Sequence, residues 1–257
     1  MPPPSFSFQT YLLLLVAGLV AGTVDAIAGG GGLIIIPTLL GIGLPAPLAL
    51  GTNKLGAAFG TGSATWSYVR KGAVDLRSCV TGAVWTFVGA LFGASAVRWI
   101  DPVFLGRTIP WLLAVIVIYM IFRPQLGERD QHHLMEAPTF YALFGLLLGF
   151  YDGFFGPGVG SFWSIAFVMV LGHNFLKATA HAKVMNMASN AASLAIFIVG
   201  GYCLLWPGLA LGAGQLAGGR IGAHLAMTRG ARFVRPVFLL MAGLTVLKLL
   251  YQHYFRS

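Results

Sequence analysis

Apolar residues run along this chain in long unbroken stretches rather than in alternation, and most stretches approach the length needed to cross a bilayer. The first half holds five such segments, Tyr11 to Ala28, Leu33 to Leu44, Pro47 to Tyr68, Ser78 to Ile100 and Val103 to Phe122. The second half holds five more, Thr139 to Tyr151, Ser161 to Gly172, Phe175 to Val199, Cys203 to Met227 and Val234 to Tyr254. Between them, Arg123 to Pro138 carries three of the seven acidic residues with His132, His133 and two prolines, and reads as a solvent-exposed linker. Continuous apolar runs predict helices, which satisfy their own backbone polar groups in lipid. A transmembrane barrel would instead alternate every second residue.

A span needs about 20 residues, and the segments flanking the two glycine clusters fall short of that; Leu33 to Leu44 has twelve. The expectation is an all-α polytopic membrane protein forming one transmembrane domain over residues 1–257. Repeat 1 covers about 11–122, the linker 123–138 and repeat 2 about 139–254.

Register supports a duplication. An offset of 129 positions superposes Lys54 on Lys183, Gly72 on Gly201, Gly89 on Gly218, Gly93 on Gly222 and Ala94 on Ala223. Asp25 and Asp152 lie 127 apart, which puts a two-residue insertion between aspartate and lysine. An odd number of crossings per half, five or effectively three, makes the repeats inverted in topology, and Gly-broken short helices at their centre fit that arrangement. Four crossings per half would make them parallel.

Composition agrees with the membrane reading: 57% hydrophobic residues and 9% charged, with a mean hydropathy of +0.82, lie outside the soluble range. The net charge of +9 does not indicate nucleic acid, because the basic residues are spread over short loops without interleaved aromatics. A positive-inside bias accounts for it. Arg70, Lys71, Arg77, Arg123, Arg129, Lys177, Arg229, Arg232 and Arg235 fall on one face, against Arg98, Arg107, Lys248 and Arg256 near the other. The first face is expected to be cytoplasmic, in a bacterial inner membrane, with both termini periplasmic. The first ten residues lack the positive stretch of a cleavable signal, so Tyr11 onward reads as a first span. Cys79 and Cys203 have no metal or redox spacing and read as packing residues on opposite faces.

The chemistry sits in two motifs. Asp25-Ala-Ile-Ala-Gly-Gly-Gly-Gly and Asp152-Gly-Phe-Phe-Gly-Pro-Gly-Val-Gly each close an apolar run, and each is followed about thirty residues on by a lysine, Lys54 or Lys183. Gly30, Gly31, Gly32, Gly158 and Gly160 are candidate turns at membrane depth, where the next half-helix would present N-terminal amides to an anion. The alternative is close helix packing, the expected role of Gly18/Gly22, Gly89/Gly93 and Gly218/Gly222. An ionised aspartate in the bilayer core has to be paired, wet or protonated. Asp25 and Asp152 are therefore candidate proton carriers, or structural caps of the glycine turns.

Lys54 follows Thr52 and Asn53, and shares a helical face with Thr61 and Thr65; Lys183 shares one with Asn186 and Asn190. An ammonium flanked by amides and hydroxyls suits an oxyanion. Snorkelling, or pairing with the aspartates, is the alternative. His181 points away from the lysine face and reads as structural, or as a proton relay; Arg220 and His224 form a weaker pair of the same kind. Neither glycine cluster fits Gly-x-Gly-x-x-Gly, and no Gly-Lys dipeptide exists for a nucleotide-binding loop.

The duplicated Asp-x-x-x-Gly-Gly-Gly-Gly and Asp-Gly-x-x-Gly-Pro-Gly-x-Gly motifs, with Gly-Thr-Asn-Lys after the first and Lys-x-x-Asn after the second, resemble the TauE/SafE family of sulfite and organosulfonate exporters. The resemblance covers about residues 10–250 and specifies the family rather than the substrate. It implies a secondary transporter for a small anion such as sulfite, sulfoacetate or another organosulfonate, with proton coupling open. No cofactor or metal is expected. The partners are the anion, the lipid bilayer and protons, and a homodimer is among the open oligomeric states. Pro157 and Val159 interrupt the second glycine run, so the two motifs need not act equally. An anion-selective channel, or a permease for a non-sulfur organic acid, is the alternative. No acid-base pair with a nucleophile supports a membrane enzyme.

Overall fold

In the computed structural model the described residues are 6–97, 127, 129–234 and six between 236 and 247. They fold into helices α1 (Phe8–Ala28), α2 (Gly31–Gly41), α3 (Ala46–Arg70), α4 (Leu76–Ala96), α5 (Ala137–Phe154), α6 (Val159–Met169), α7 (Phe175–Val199) and α8 (Leu205–Arg229). The expected segment Val103 to Phe122, and most of Val234 to Tyr254, lie outside the described residues.

Local chemistry sets several helix ends. Ser7, Asp75 and Asn174 cap α1, α4 and α7 by accepting from the backbone N–H of Thr10, Arg77 and Lys177. At the other end of α1, Gly29 adopts φ +79°, the left-handed conformation that closes a helix. α2 and α6 have 11 residues each, about 16 Å at 1.5 Å per residue, and neither can cross a bilayer. Their shortness matches the expectation, but α2 begins at Gly31 rather than Leu33, inside the glycine run. The segment before each short helix is longer than expected. α5 runs from Ala137, with Pro138 in its first turn, through Asp152 to Phe154, so it takes in the aspartate and glycine where the apolar run stops.

α1, α4 and α7 are long and apolar enough to cross a membrane. Apolar side chains fill the core around Trp163 and Phe167, but apolar side chains also cover the outside, and charged groups lie within. Leu12, Val20, Phe92, Val84 and Leu147 are exposed, while Lys54, Asp152, Lys183, Asn186 and Asn190 are buried. Lipid accepts the first set, and the second has to face other protein groups.

α1 packs against α8, and α4 against α5, more extensively than any other pairs. In both, glycine allows backbone contact: a Cβ on Gly218 would lie 2.2 Å from Leu19 O, and one on Gly89 would lie 2.5 Å from Leu146 O. The glycine pairs read as packing elements from sequence do pack in this way. α3 and α7 cross antiparallel through the centre, with Gly51 near Phe197 and Lys54 near Asn190.

The described linker residues 129–138 are largely exposed as expected, but the linker is fastened to the loop between α6 and α7. Gln131 N–H donates to Gly172 O, Leu134 N–H to Val170 O, and Phe175 N–H to Gly127 O, while Asp130 accepts from Asn174 and pairs with Lys177 at 3.4 Å. In the same loop His173 stacks on Phe167. Its pKa is pushed down to about 3, first by burial and then by repulsion from His181 and Lys177. The unfolded imidazole titrates near 6.5, so between about 6.5 and 3 the unfolded chain binds the additional proton and stability falls as pH is lowered. His173→Phe is expected to flatten that part of a pH series of thermal unfolding midpoints; an unchanged slope would assign the effect elsewhere.

Candidate functional site

The two aspartates and two lysines pair crosswise. Lys54 of α3 reaches Asp152 of α5 at 2.6 Å, and Lys183 of α7 reaches Asp25 of α1 at 2.7 Å. Each motif's aspartate therefore holds the lysine that follows the other motif. Both ammonium groups are buried, as the cost of isolated charge at membrane depth requires.

Their surroundings differ. Asp25 accepts from Lys183 on one carboxylate oxygen and from Gly31 N–H, at 3.1 Å, on the other. It therefore caps the first turn of α2, as the structural reading of this residue anticipated. Its side chain is 18% exposed whereas that of Lys183 is fully enclosed. Asp152 accepts from Lys54 on one oxygen and from the Ser189 hydroxyl on the other. Lys54 also donates to Asn190 Oδ1 at 3.2 Å, and Asn190 reaches Thr61 at 3.5 Å.

The glycine motifs meet at the centre. A Cβ on Gly29 would lie 2.3 Å from the carbonyl carbon of Gly160, and one on Gly160 would lie 2.6 Å from Gly29 Cα. Ser161 Oγ donates to Ala28 O at 2.7 Å across the same junction, and Tyr68 OH donates to Ala26 O at 2.9 Å. Backbone touches backbone here, so Gly160→Ala is expected to lower stability by about 1–3 kcal/mol through overpacking. Chemical denaturation of the purified protein measures this, and an unchanged midpoint would rule out the tight junction.

Beside the junction is a cavity of about 30 Å³, enough for a water or two. Asp25, Gly31, Gly32, Asn53, Lys54, Asp152, Gly158, Asn186 and Asn190 line it, all of them sequence-predicted site residues. Gly30, Thr52, Gly160, Lys183 and His181 do not. Gly30 precedes α2 as its N-cap, and Gly160 forms the junction. Thr52 accepts from Leu204 N–H at 3.1 Å, which ties α3 to the start of α8. Lys183 lies behind Asp25. His181 is bonded to Lys177 O at 2.8 Å and packed against His173.

Sequence reasoning missed two contributors. Ser189 holds Asp152, and Gln215 of α8 reaches the cavity wall over Gly56 and Gly60. Among the described residues, Asn186 Oδ1 and Gln215 Nε2 have no hydrogen-bond partner, although both are buried. Buried amide groups of this kind are costly to leave unpaired. They supply one acceptor and one donor beside the Lys54 ammonium; the donor suits an anion's oxygen, and the acceptor suits a group that carries a hydrogen. A lone glutamine among the glycines of α8 was the available signal.

The family model described as Sulfite exporter TauE/SafE matches residues 14–249. A probable membrane transporter protein of Haemophilus influenzae is 45% identical over 93% of this chain and 94% of its own length. Probable membrane transporter protein ORF9 of a Sinorhizobium species is 40% identical over 95% and 94%. Probable membrane transporter protein YfcA of Escherichia coli K12 is 40% identical over 93% and 89%. No solved structure matches the chain.

Proposed function

This chain belongs to the sulfite exporter TauE/SafE family and is a membrane transporter; on that premise we propose that it is a secondary permease for a small anion, with sulfite, sulfoacetate or another organosulfonate as the substrate class. The observation that carries the proposal is the crossed pair of ion pairs around one small polar cavity. Two lysines and two aspartates sum to no net charge, so an added anion lacks a free counter-charge while both pairs are closed. A proton on Asp152 changes this. The carboxylate becomes neutral, Lys54 is released while still held by Asn190, and the ammonium becomes available to the anion together with the Gln215 Nε2 donor.

Lys54–Asp152 is the exchanging pair in this account, because both residues line the cavity. Lys183–Asp25 is the holding pair: Lys183 is enclosed behind Asp25, and Asp25 is committed to Gly31. A monoanion and a proton would cross together without net charge. The membrane potential, about 2.3 kcal/mol per charge per 100 mV, then neither drives nor opposes transport, and the pH and concentration gradients set its direction. The cavity is too small for an oxyanion, so binding requires the two halves of the bundle to part.

Inverted repeats supply that movement, and several contacts support them. The Gly89–Leu146 and Gly93–Phe150 approaches match Gly218–Leu19 and Gly222–Thr23 at the offsets of 129 and 127 positions seen in the sequence. The antiparallel α3/α7 crossing is what an inverted pair requires. Arg70, Lys71, Lys177 and Arg229 close the same end of these helices, which supports placing that end in the cytoplasm of a bacterial inner membrane with both termini outside.

Counterflow and uptake in proteoliposomes test the proposal, using sulfite, sulfoacetate, taurine, sulfate and thiosulfate with and without a pH gradient. The expected result is saturable flux of at least one sulfite or sulfonate, accelerated by a gradient acid on the side of entry. Asp152→Asn is expected to keep counterflow and lose gradient-driven accumulation. If that variant accumulates substrate as the parent protein does, coupling through Asp152 is wrong; if no anion on the panel moves, the substrate class is wrong.

A further inference from the structure

A second basic site lies away from the central cavity, on the outer face of the bundle. A groove of about 350 Å³ runs between α3 and α8, lined by Trp66, Arg70, Lys71, Arg220, His224 and Met227. Trp66 and Arg70 stand one turn apart on α3, and Arg220, His224 and Met227 share one face of α8. The two helices are joined at this level by Ser63 Oγ donating to Leu216 O at 2.7 Å. Trp66 is 63% exposed, and its neighbours on the outer surface, Leu216 and Ile221, are exposed as well. The groove therefore opens onto the face that meets acyl chains.

Loop placement accounts for Arg70 and Lys71, at the end of α3, but not for Arg220. Arg220 sits nine residues before the end of α8, about 13 Å inside the helix. Among the described residues no carboxylate pairs with Arg70, Lys71 or Arg220. Groove shape does not require the charge either. A groove of about 280 Å³ at the opposite end of the bundle is lined by Ser95, Ile196, Val199, Gly200 and Tyr202. At the offset of 129 positions Arg70, Lys71 and His224 correspond to Val199, Gly200 and Ser95. Equivalent clefts thus exist at both ends, and among the described residues only the α3/α8 cleft is lined by cations.

We infer that the α3/α8 groove binds an anionic phospholipid. Arg70, Lys71 and Arg220 would hold the phosphate, Trp66 would sit at headgroup level, and the exposed apolar surface at Leu216 and Ile221 would meet the chains. Basic clefts between membrane helices on the cytoplasmic side suit such headgroups, and an interfacial tryptophan anchors at that depth. The side chains involved take no part in the central cavity, so this site is independent of the transport reading.

The test is native mass spectrometry of the delipidated protein titrated with phosphatidylglycerol, cardiolipin or phosphatidylethanolamine, with inorganic phosphate as competitor. The parent protein is expected to retain the anionic lipids in preference to phosphatidylethanolamine, with phosphate at equal concentration failing to displace them. Each basic residue near an anionic headgroup contributes about a factor of five, so Arg70→Gln/Lys71→Gln/Arg220→Gln is expected to weaken retention about 100-fold. These residues are exposed, and circular dichroism with an unchanged unfolding midpoint establishes that the variant folds. Equal retention of all three lipids, undiminished retention by the variant, or displacement by free phosphate would each overturn the lipid assignment.

Discussion

Asp25→Ala is expected to destabilise the protein by about 3–5 kcal/mol, because it leaves Lys183 fully enclosed with its charge unpaired. The reverse change leaves less unsatisfied: with Lys183→Met, Asp25 retains Gly31 N–H and is partly exposed. The double variant Asp25→Ala/Lys183→Met is expected to recover most of the loss, since replacing both members of a buried pair removes the desolvation penalty along with the attraction. Urea or thermal unfolding in detergent over the four proteins of this cycle measures the coupling. Additive effects would mean that the pair is not formed in solution.

The second large effect is on transport. Lys54→Met removes the ammonium that lines the cavity, and anion affinity is expected to fall about 100-fold or more, in the range for truncating one partner of a buried hydrogen-bonded charge pair. Asp152 would be left between Ser189 and a methionine, so a stability loss is also expected. Lys54→Met/Asp152→Asn separates the two effects: stability returns and substrate affinity does not. Counterflow at saturating and subsaturating substrate, beside the unfolding midpoint, distinguishes these outcomes. Restored affinity in the double variant would show that Lys54 serves only to neutralise Asp152.

Much of this arrangement could be read from the chain, for identifiable reasons. The lysines, the aspartates and the shared face of Lys183, Asn186 and Asn190 are local patterns of helical spacing, but Asn186 and Asn190 line the cavity while Lys183 is turned to Asp25. The short helices were legible because glycine runs and a shortage of apolar residues both limit length. The crossing was not. Lys54 and Asp152 are 98 positions apart and Lys183 and Asp25 are 158 apart, and spacing cannot determine whether each lysine finds the aspartate of its own motif or of the other.

Pro157 and Val159 signal that the two motifs need not act equally, but the repeat register does not say how their roles differ. Asn186 corresponds to Ala57, and Gln215 to Thr86. One half thus supplies the unpartnered amides, while the other supplies Lys54 and the small residues over which Gln215 lies. Thr52 reads as a substrate contact from its place near Lys54, yet residues two apart on a helix are rotated about 200° and point to nearly opposite sides, and its hydroxyl accepts from Leu204 N–H instead. The start of α2 moved into the glycine run because Asp25 caps Gly31, a bond that a count of apolar residues cannot reveal.

Proton exchange at Lys54–Asp152 is the centre of the account, and calorimetric binding of a transported sulfonate addresses it directly. Titrations at pH 7 in two buffers of different ionisation enthalpy count the protons taken up with each anion. The account predicts about one proton per bound anion for the parent protein and none for Asp152→Asn, with both binding the anion. Binding without proton uptake by the parent protein, or the same uptake by Asp152→Asn, would contradict it.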